Sequence, residues 1–106
     1  MSEFIPVASV AEVPPGARKI IDFDEVTVVL INIAGNFYCI EDVCTHDGGP
    51  VAEGDIDGFA IECPRHGAQF DLRDGCVLAM PAVVPIPTYQ VKVDGNQVYI
   101  ESPEAW

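Results

Sequence analysis

The sequence predicts an all-β domain of small antiparallel sheets, arranged as a sandwich or partial barrel. Three observations lead there. Short segments rich in Ile, Val, Phe and Tyr recur along the chain. Turn signals separate them at intervals of roughly ten residues. No long stretch carries helical periodicity. A length of 106 residues suits a single domain over 1–106 and is too short for two ordinary ones. Hydrophobic residues make up 49%, enough to build a core.

Residues 4–8 predict an edge strand, because Pro6 removes a ladder donor. Ser9-Val10-Ala11-Glu12 has the S-x-x-E spacing of a capping box and predicts one helical turn, ended by Pro14-Pro15-Gly16. Residues 17–23 and 25–33 predict two strands, with Asp22 and Asp24 bracketing the turn between them. The second is largely apolar on both faces, which marks a central strand. Gly35-Asn36 predicts a tight turn, and 37–40 returns as a strand. Asp55-Ile56-Asp57-Gly58 and Asp74-Gly75 are further hairpin signals, and 59–62 and 69–72 are the segments between them. Residues 80–87 hold Pro81, Pro85 and Pro87 and are irregular. A closing hairpin follows, with 88–93 and 97–100 joined at Asp94-Gly95-Asn96, and the tail 101–106 is expected to be loosely held.

The net charge is −12, from 17 acidic and 5 basic residues. Nucleic-acid backbones and anionic membrane surfaces would repel such a chain, so neither is an expected partner. The apolar runs are strand-length and too short to span a bilayer. Met1-Ser2-Glu3-Phe4 shows no basic segment followed by a long apolar one, so no secretory signal is expected and the cytoplasm is the default compartment. An acidic surface favours solubility, and it also steers the molecule toward a basic patch on a protein partner.

Two short stretches carry the chemistry. Cys44-Thr45-His46-Asp47-Gly48-Gly49-Pro50 offers C-x-H, and Cys63-Pro64-Arg65-His66-Gly67-Ala68-Gln69-Phe70-Asp71 offers C-x-x-H. Sixteen residues separate His46 from Cys63, and the chain's only two histidines lie in these stretches. A mixed site of two Cys and two His could hold structural zinc. Zinc sites of that composition, however, pair Cys with Cys and then His with His. One Cys and one His from each loop suits a dinuclear centre instead, with both thiolates on one iron, both imidazoles on the other, and sulfides between them.

These stretches closely resemble the Rieske motif. The 9–16 turn, the 81–87 segment and the final hairpin are also similar to the small soluble Rieske ferredoxins, so the resemblance covers essentially the whole chain. It implies one [2Fe–2S] cluster, held by two hairpin loops at one tip of the domain. Cys44 and Cys63 would hold the inner iron, and His46 and His66 the outer one at the surface. Gly48, Gly49 and Gly67 would let backbone N–H groups approach the sulfides, and Pro81 would sit in a loop covering the cluster. The implied function is a soluble one-electron carrier, not an enzyme in itself. It would take electrons from a flavin-dependent ferredoxin reductase and pass them to a terminal dioxygenase docked at the His46/His66 tip. A stand-alone ferredoxin, or a small subunit of a nitrite-reductase-type complex, is the alternative. A monomer is expected.

High-potential members of the family carry a cysteine in each loop, joined as a disulfide, where this chain has Gly49 and Arg65. They also carry a serine and a tyrosine that donate to the cluster sulfurs, where this chain has Ala68 and Phe70. Donors aimed at sulfur stabilise the reduced cluster, so their absence implies a potential near the lower end of the range, roughly −150 mV. Cys39 and Cys76 are expected to be buried and free. Tyr38 and Tyr89 are expected in the core. Arg65 is expected either to be solvated or to contact a partner, and Asp47, Glu53 and Asp55 to form an acidic rim. Trp106 carries no assignment.

Overall fold

A computed structural model describes residues 3–80 and 82–103. Within them lie eleven strands: β1 (Phe4–Ser9), β2 (Arg18–Asp22), β3 (Thr27–Ile33), β4 (Asn36–Glu41), β5 (Ile56–Asp57), β6 (Ala60–Glu62), β7 (Gln69–Asp71), β8 (Val77–Ala79), β9 (Thr88–Tyr89), β10 (Val91–Asp94) and β11 (Gln97–Glu101). One 3₁₀ turn, Val10–Glu12, follows β1, and the described residues contain no α-helix. The strands form three antiparallel sheets, ordered β1-β11-β10, β2-β3-β4-β9 and β5-β6-β7-β8. None closes into a barrel, so the architecture is the layered one of the two anticipated forms.

The largely apolar β3 explains the layering. Successive side chains of a strand point to opposite faces, so a strand apolar on both faces needs cover on both. Val29 and Ile31 pack with Ile61 of β6 and Phe70 of β7, while Val28 and Leu30 pack with Ala8 of β1 and with Val98 and Ile100 of β11. The β2-β3-β4-β9 sheet is therefore the middle layer. Its neighbour β4 divides in the same way, with Ile40 facing one core and Cys39 the other.

Asn32 is the buried polar residue of β3. Its side-chain amide donates to the Val13 carbonyl at 2.8 Å and accepts the Gly35 N–H at 2.8 Å, so it ties the 3₁₀ segment to the β3–β4 turn. Both ends of the buried amide are satisfied, as burial requires. The capping box forms as expected, with the Ser9 N–H donating to Glu12 Oε1 at 2.8 Å. As its proline requires, β1 pairs on one side only, with β11, and a bulge lies between Pro6 and Ala8.

Four expectations change. The β3–β4 turn is Ala34-Gly35 rather than Gly35-Asn36. Both residues take positive φ, 54° and 95°, and Asn36 already pairs with Ile33. The mirror-image turn matches the strand twist, and that outweighs the cost of a left-handed alanine. The segment expected as 88–93 is two strands, because Thr88 and Tyr89 pair with β4 while 91–94 pair with β11, so the chain changes sheets at Gln90. The start of the tail is held: Glu101 lies in β11, the Ser102 N–H donates to the Glu3 carbonyl at 2.7 Å, and Ser102 and Pro103 are buried. Residues 104–106, with Trp106, lie outside the described residues. Finally, Cys76 is exposed whereas Cys39 is buried, although both are free. Tyr38 and Tyr89 are half-buried against the two cores.

Cys39 stands opposite Tyr89 in the β4–β9 ladder. Burial pushes the Cys39 thiol up to about 12. Burial and the nearby Glu41 carboxylate push the Tyr89 phenol up to about 12 as well. Both groups are neutral in the fold, with pKa values above those of an unfolded chain, about 8.5 and 10. Their contribution to stability is therefore full below about pH 8.5 and is lost as the pH rises toward 12. Cys39→Ala should cost about 1 kcal/mol at neutral pH and should flatten the fall of the denaturation midpoint between about pH 8.5 and 12. An equally steep fall in the variant would show that the thiol is not held neutral by this core.

Candidate metal centre

The two motifs occupy the connections β4–β5 and β6–β7. Their backbones fold alike. The Cys44 N–H donates to the Gly49 carbonyl at 2.7 Å, and the Gly48 N–H returns to the Cys44 carbonyl at 2.7 Å. In the second loop, the Cys63 N–H donates to Ala68 at 2.7 Å and the Gly67 N–H returns to Cys63 at 3.0 Å. Each loop reverses through a glycine four residues after its cysteine, Gly48 at φ 77° and Gly67 at φ 78°. A side chain there would strain the left-handed backbone.

This shared geometry sorts the donors by chemistry. Cys44 and Cys63 are fully buried and belong to the core that contains Val29, Ile40 and Phe70. His46 and His66 are exposed, with ring centroids 5.2 Å apart and planes at 90°. The two sulfurs and an Asp47 carboxylate oxygen all lie within 4.8 Å of one another. Backbone N–H groups of His46 and Asp47 lie near enough to the Cys44 sulfur to favour its thiolate, and those of Arg65 and His66 do the same at Cys63. Burial, chief among the influences on Cys44, raises its thiol above the ordinary range. At Cys63 burial also opposes ionisation, but the N–H groups and the neighbouring thiol outweigh it and lower the pKa. The donor set fits a [2Fe–2S] group: two adjacent sulfurs in a dry interior with N–H donors near them, and two adjacent imidazoles toward solvent.

The glycines' own N–H groups are engaged elsewhere. The N–H groups of Gly48 and Gly67 are engaged with carbonyls inside their own loops, and that of Gly49 donates to Asp47 Oδ1 at 2.9 Å. The N–H groups near the sulfurs come from the residues around the histidines instead. Gly49 has a separate role: a Cβ placed there would lie 2.8 Å from the Arg65 guanidinium. That guanidinium forms a two-pronged pair with Asp47, Nε to Oδ2 at 2.6 Å and Nη2 to Oδ1 at 3.0 Å. Arg65 is thus exposed but engaged with Asp47, and Asp47 is a paired rim charge rather than an unpaired one. Arg65, followed by the Gly49 N–H, holds the Asp47 carboxyl well below the usual carboxylate range. The signal for this pair in the sequence is slight: an acid just after one histidine and a base just before the other.

Two further anchors hold the first loop. Asp42 Oδ1 accepts the N–H groups of Val51 and Ala52, each at 2.7 Å. The Thr45 hydroxyl donates to the Val84 carbonyl, which brings the proline-rich segment against the loop, and Ala82 and Ile86 pack into the core around the thiols. Pro81 lies outside the described residues. Glu53 and Asp55 are exposed.

A small layered β domain offering two buried thiols and two exposed imidazoles from matched loops is an iron–sulfur scaffold of the electron-transfer kind. The Rieske [2Fe-2S] domain family matches residues 3–90. The chain is 42% identical over 97 residues, 91% of each chain, to the 3-phenylpropionate/cinnamic acid dioxygenase ferredoxin subunit of Escherichia coli strain K12. Its fold superposes on the ferredoxin of carbazole 1,9a-dioxygenase from Nocardioides aromaticivorans IC177 with a TM-score of 0.86 at 30% identity, covering 92% of this chain and 96% of that one. It also matches, at TM-score 0.86 and 29% identity over 92% of both chains, a chain of the complex of reduced oxygenase and oxidized ferredoxin in carbazole 1,9a-dioxygenase. The chain belongs to the Rieske [2Fe–2S] family, and its cofactor is one Rieske-type cluster.

The Asp42 anchor has a measurable consequence. Asp42→Ala removes the acceptor of two backbone N–H groups at the root of the first loop. It should lower stability by about 2 kcal/mol and the melting temperature by roughly 8 °C or more. Asp42→Asn keeps an acceptor oxygen and should recover most of the loss in a thermal melt.

Proposed function

We propose that Cys44, His46, Cys63 and His66 hold the cluster and that the chain carries single electrons to the terminal oxygenase of an aromatic-ring dioxygenase system. The observation that carries this reading is the division of the donors, with a buried sulfur pair beneath an exposed imidazole pair. When bound, the cluster stores one electron in its reduced form. The two thiols fix it to the core, and the matched loops and the Ala82–Ile86 contacts keep water from its inner side. The imidazoles shorten the path to a docked partner, so the His46/His66 tip is the docking face. Apolar Val83 and Val84, exposed beside Thr45, suit the dry centre of such a contact. The excess of 12 negative charges suits a basic collar on the partner. A flavin-dependent ferredoxin reductase is the electron donor in this reading. The protein works as a cytoplasmic monomer. Among the described residues, no helix is long and apolar enough to cross a membrane.

Ala68 and Phe70 are fully buried in the core around the thiols, and neither has a hydroxyl to donate. The reduction potential should therefore lie near roughly −150 mV. Protein-film voltammetry measures it directly, and a value at the positive end of the Rieske range rejects the low-potential assignment. Ala68→Ser should move the potential upward, and an unchanged potential with an intact cluster would remove the hydroxyl argument.

The function is tested by reducing the purified protein and mixing it with reductase and oxygenase components of a dioxygenase system. Reoxidation coupled to product formation, with a rate that falls as salt rises, is the expected result. Reoxidation only by dioxygen, in the presence of every oxygenase component offered, would reject the assignment.

A further inference from the structure

Beyond the four proposed ligands, the two loops share one direct side-chain link. Asp47 follows His46 in the first loop, and Arg65 precedes His66 in the second. Their two-pronged pair spans the gap between the loops. The same carboxylate accepts the Gly49 N–H within its own loop, lies 3.4 Å from His66 Nδ1 across the gap, and is within 4.8 Å of both cysteine sulfurs. Gly49 supplies the space, since any side chain there would displace the guanidinium. Asp47 is exposed as a residue, but its side chain is folded back against Arg65 and is 20% exposed. These are the marks of a built contact rather than a chance surface pair.

We propose that Asp47 and Arg65 are positioning residues for the cluster, joining the two half-sites and setting its reduction potential through their opposed charges. The proposal rests on the ligand assignment of the preceding subsection. Its physics has two separable parts. Mechanically, the pair fixes the spacing between the loops, and hence between the two imidazoles and the two thiols. Two parallel N–H···O bonds constrain orientation as well as distance, which a single contact cannot. Electrostatically, reduction would add negative charge near both groups, since Asp47 lies within 4.8 Å of both sulfurs and Arg65 is bonded to Asp47. A nearby guanidinium favours that charge and a nearby carboxylate opposes it. With both present the effects offset, and removing either leaves the other uncompensated.

Three variants separate these parts. Asp47→Asn leaves Arg65 uncompensated, so the potential should rise. Arg65→Gln leaves Asp47 uncompensated, so it should fall. Gly49→Ala displaces the guanidinium without removing a charge. Its backbone is outside the left-handed region, and its nearest obstacle is the end of a flexible side chain, so the fold should survive. All three should release iron several-fold faster than the parent under a chelator, followed by loss of visible absorbance. Arg65→Lys should restore the potential but not the retention, because an ammonium cannot make the two-pronged contact. The parent protein's Rieske EPR signal checks the ligand assignment separately, and its absence would overturn that assignment and this proposal with it. With that signal present, parent-like iron release in all three variants, or potentials shifting in the same direction in Asp47→Asn and Arg65→Gln, overturns the proposal alone.

Discussion

Burying two thiols side by side creates a problem that much of this fold addresses. Sulfur donors sequestered from water resist ionisation, yet a metal ligand must be a thiolate. The loops answer with the backbone. In each, the N–H groups two and three residues beyond the cysteine lie near its sulfur, because the chain reverses through a left-handed glycine at the fourth residue. The same reversal carries the histidine out to solvent. One local conformation, used twice, therefore places N–H groups near both sulfurs, buries the sulfurs and exposes the imidazoles, although only the Cys63 thiol is lowered on balance.

Such loops need rigid roots. The first springs from β4 of the middle sheet, and Asp42 immediately braces its far side. The second connects β6 and β7, which pack on the opposite layer through Ile61 and Phe70. The three-layer arrangement thus does more than bury the apolar faces of β3. It aims two loops from different sheets at one point, and the core that buries the thiols is the core that joins those sheets.

Much of this is legible in the sequence, for identifiable reasons. Both-face apolarity marks β3 as central, Pro6 marks β1 as an edge, and Ser9 with Glu12 marks the 3₁₀ turn, because each signal is local. The Cys/His alternation marks the candidate centre because residue type and spacing are local too. What escapes depends on distances between segments far apart in the chain. Arg65 reaches Asp47 across eighteen positions only because two sheets meet at that point. The exposure of Cys76, the docking of Ser102 on Glu3 and the change of sheets at Gln90 are likewise tertiary outcomes that leave no mark on their immediate neighbours. The glycines are an intermediate case. Their presence signals unusual backbone, but whether a glycine serves a reversal, as Gly48 does, or a side-chain berth, as Gly49 does, depends on what lies opposite.

The link between the loops also bears on what an ionic contact can contribute. Exposed ion pairs add little to global stability, because solvent screens the attraction and ordering long side chains costs entropy. The Asp47–Arg65 pair need not stabilise the fold to matter. Asp47 is already oriented by the Gly49 N–H, and Arg65 lies against a position with no side chain, so part of the ordering cost is met by the loops themselves. What remains is leverage over one distance, the gap between the half-sites. The positions at which high-potential relatives place a disulfide are here Gly49 and Arg65. A covalent link would fix that gap without placing any charge beside the site. An ion pair fixes it and brings two opposed charges close to the sulfurs, so the same side chains can act on geometry and on redox energetics.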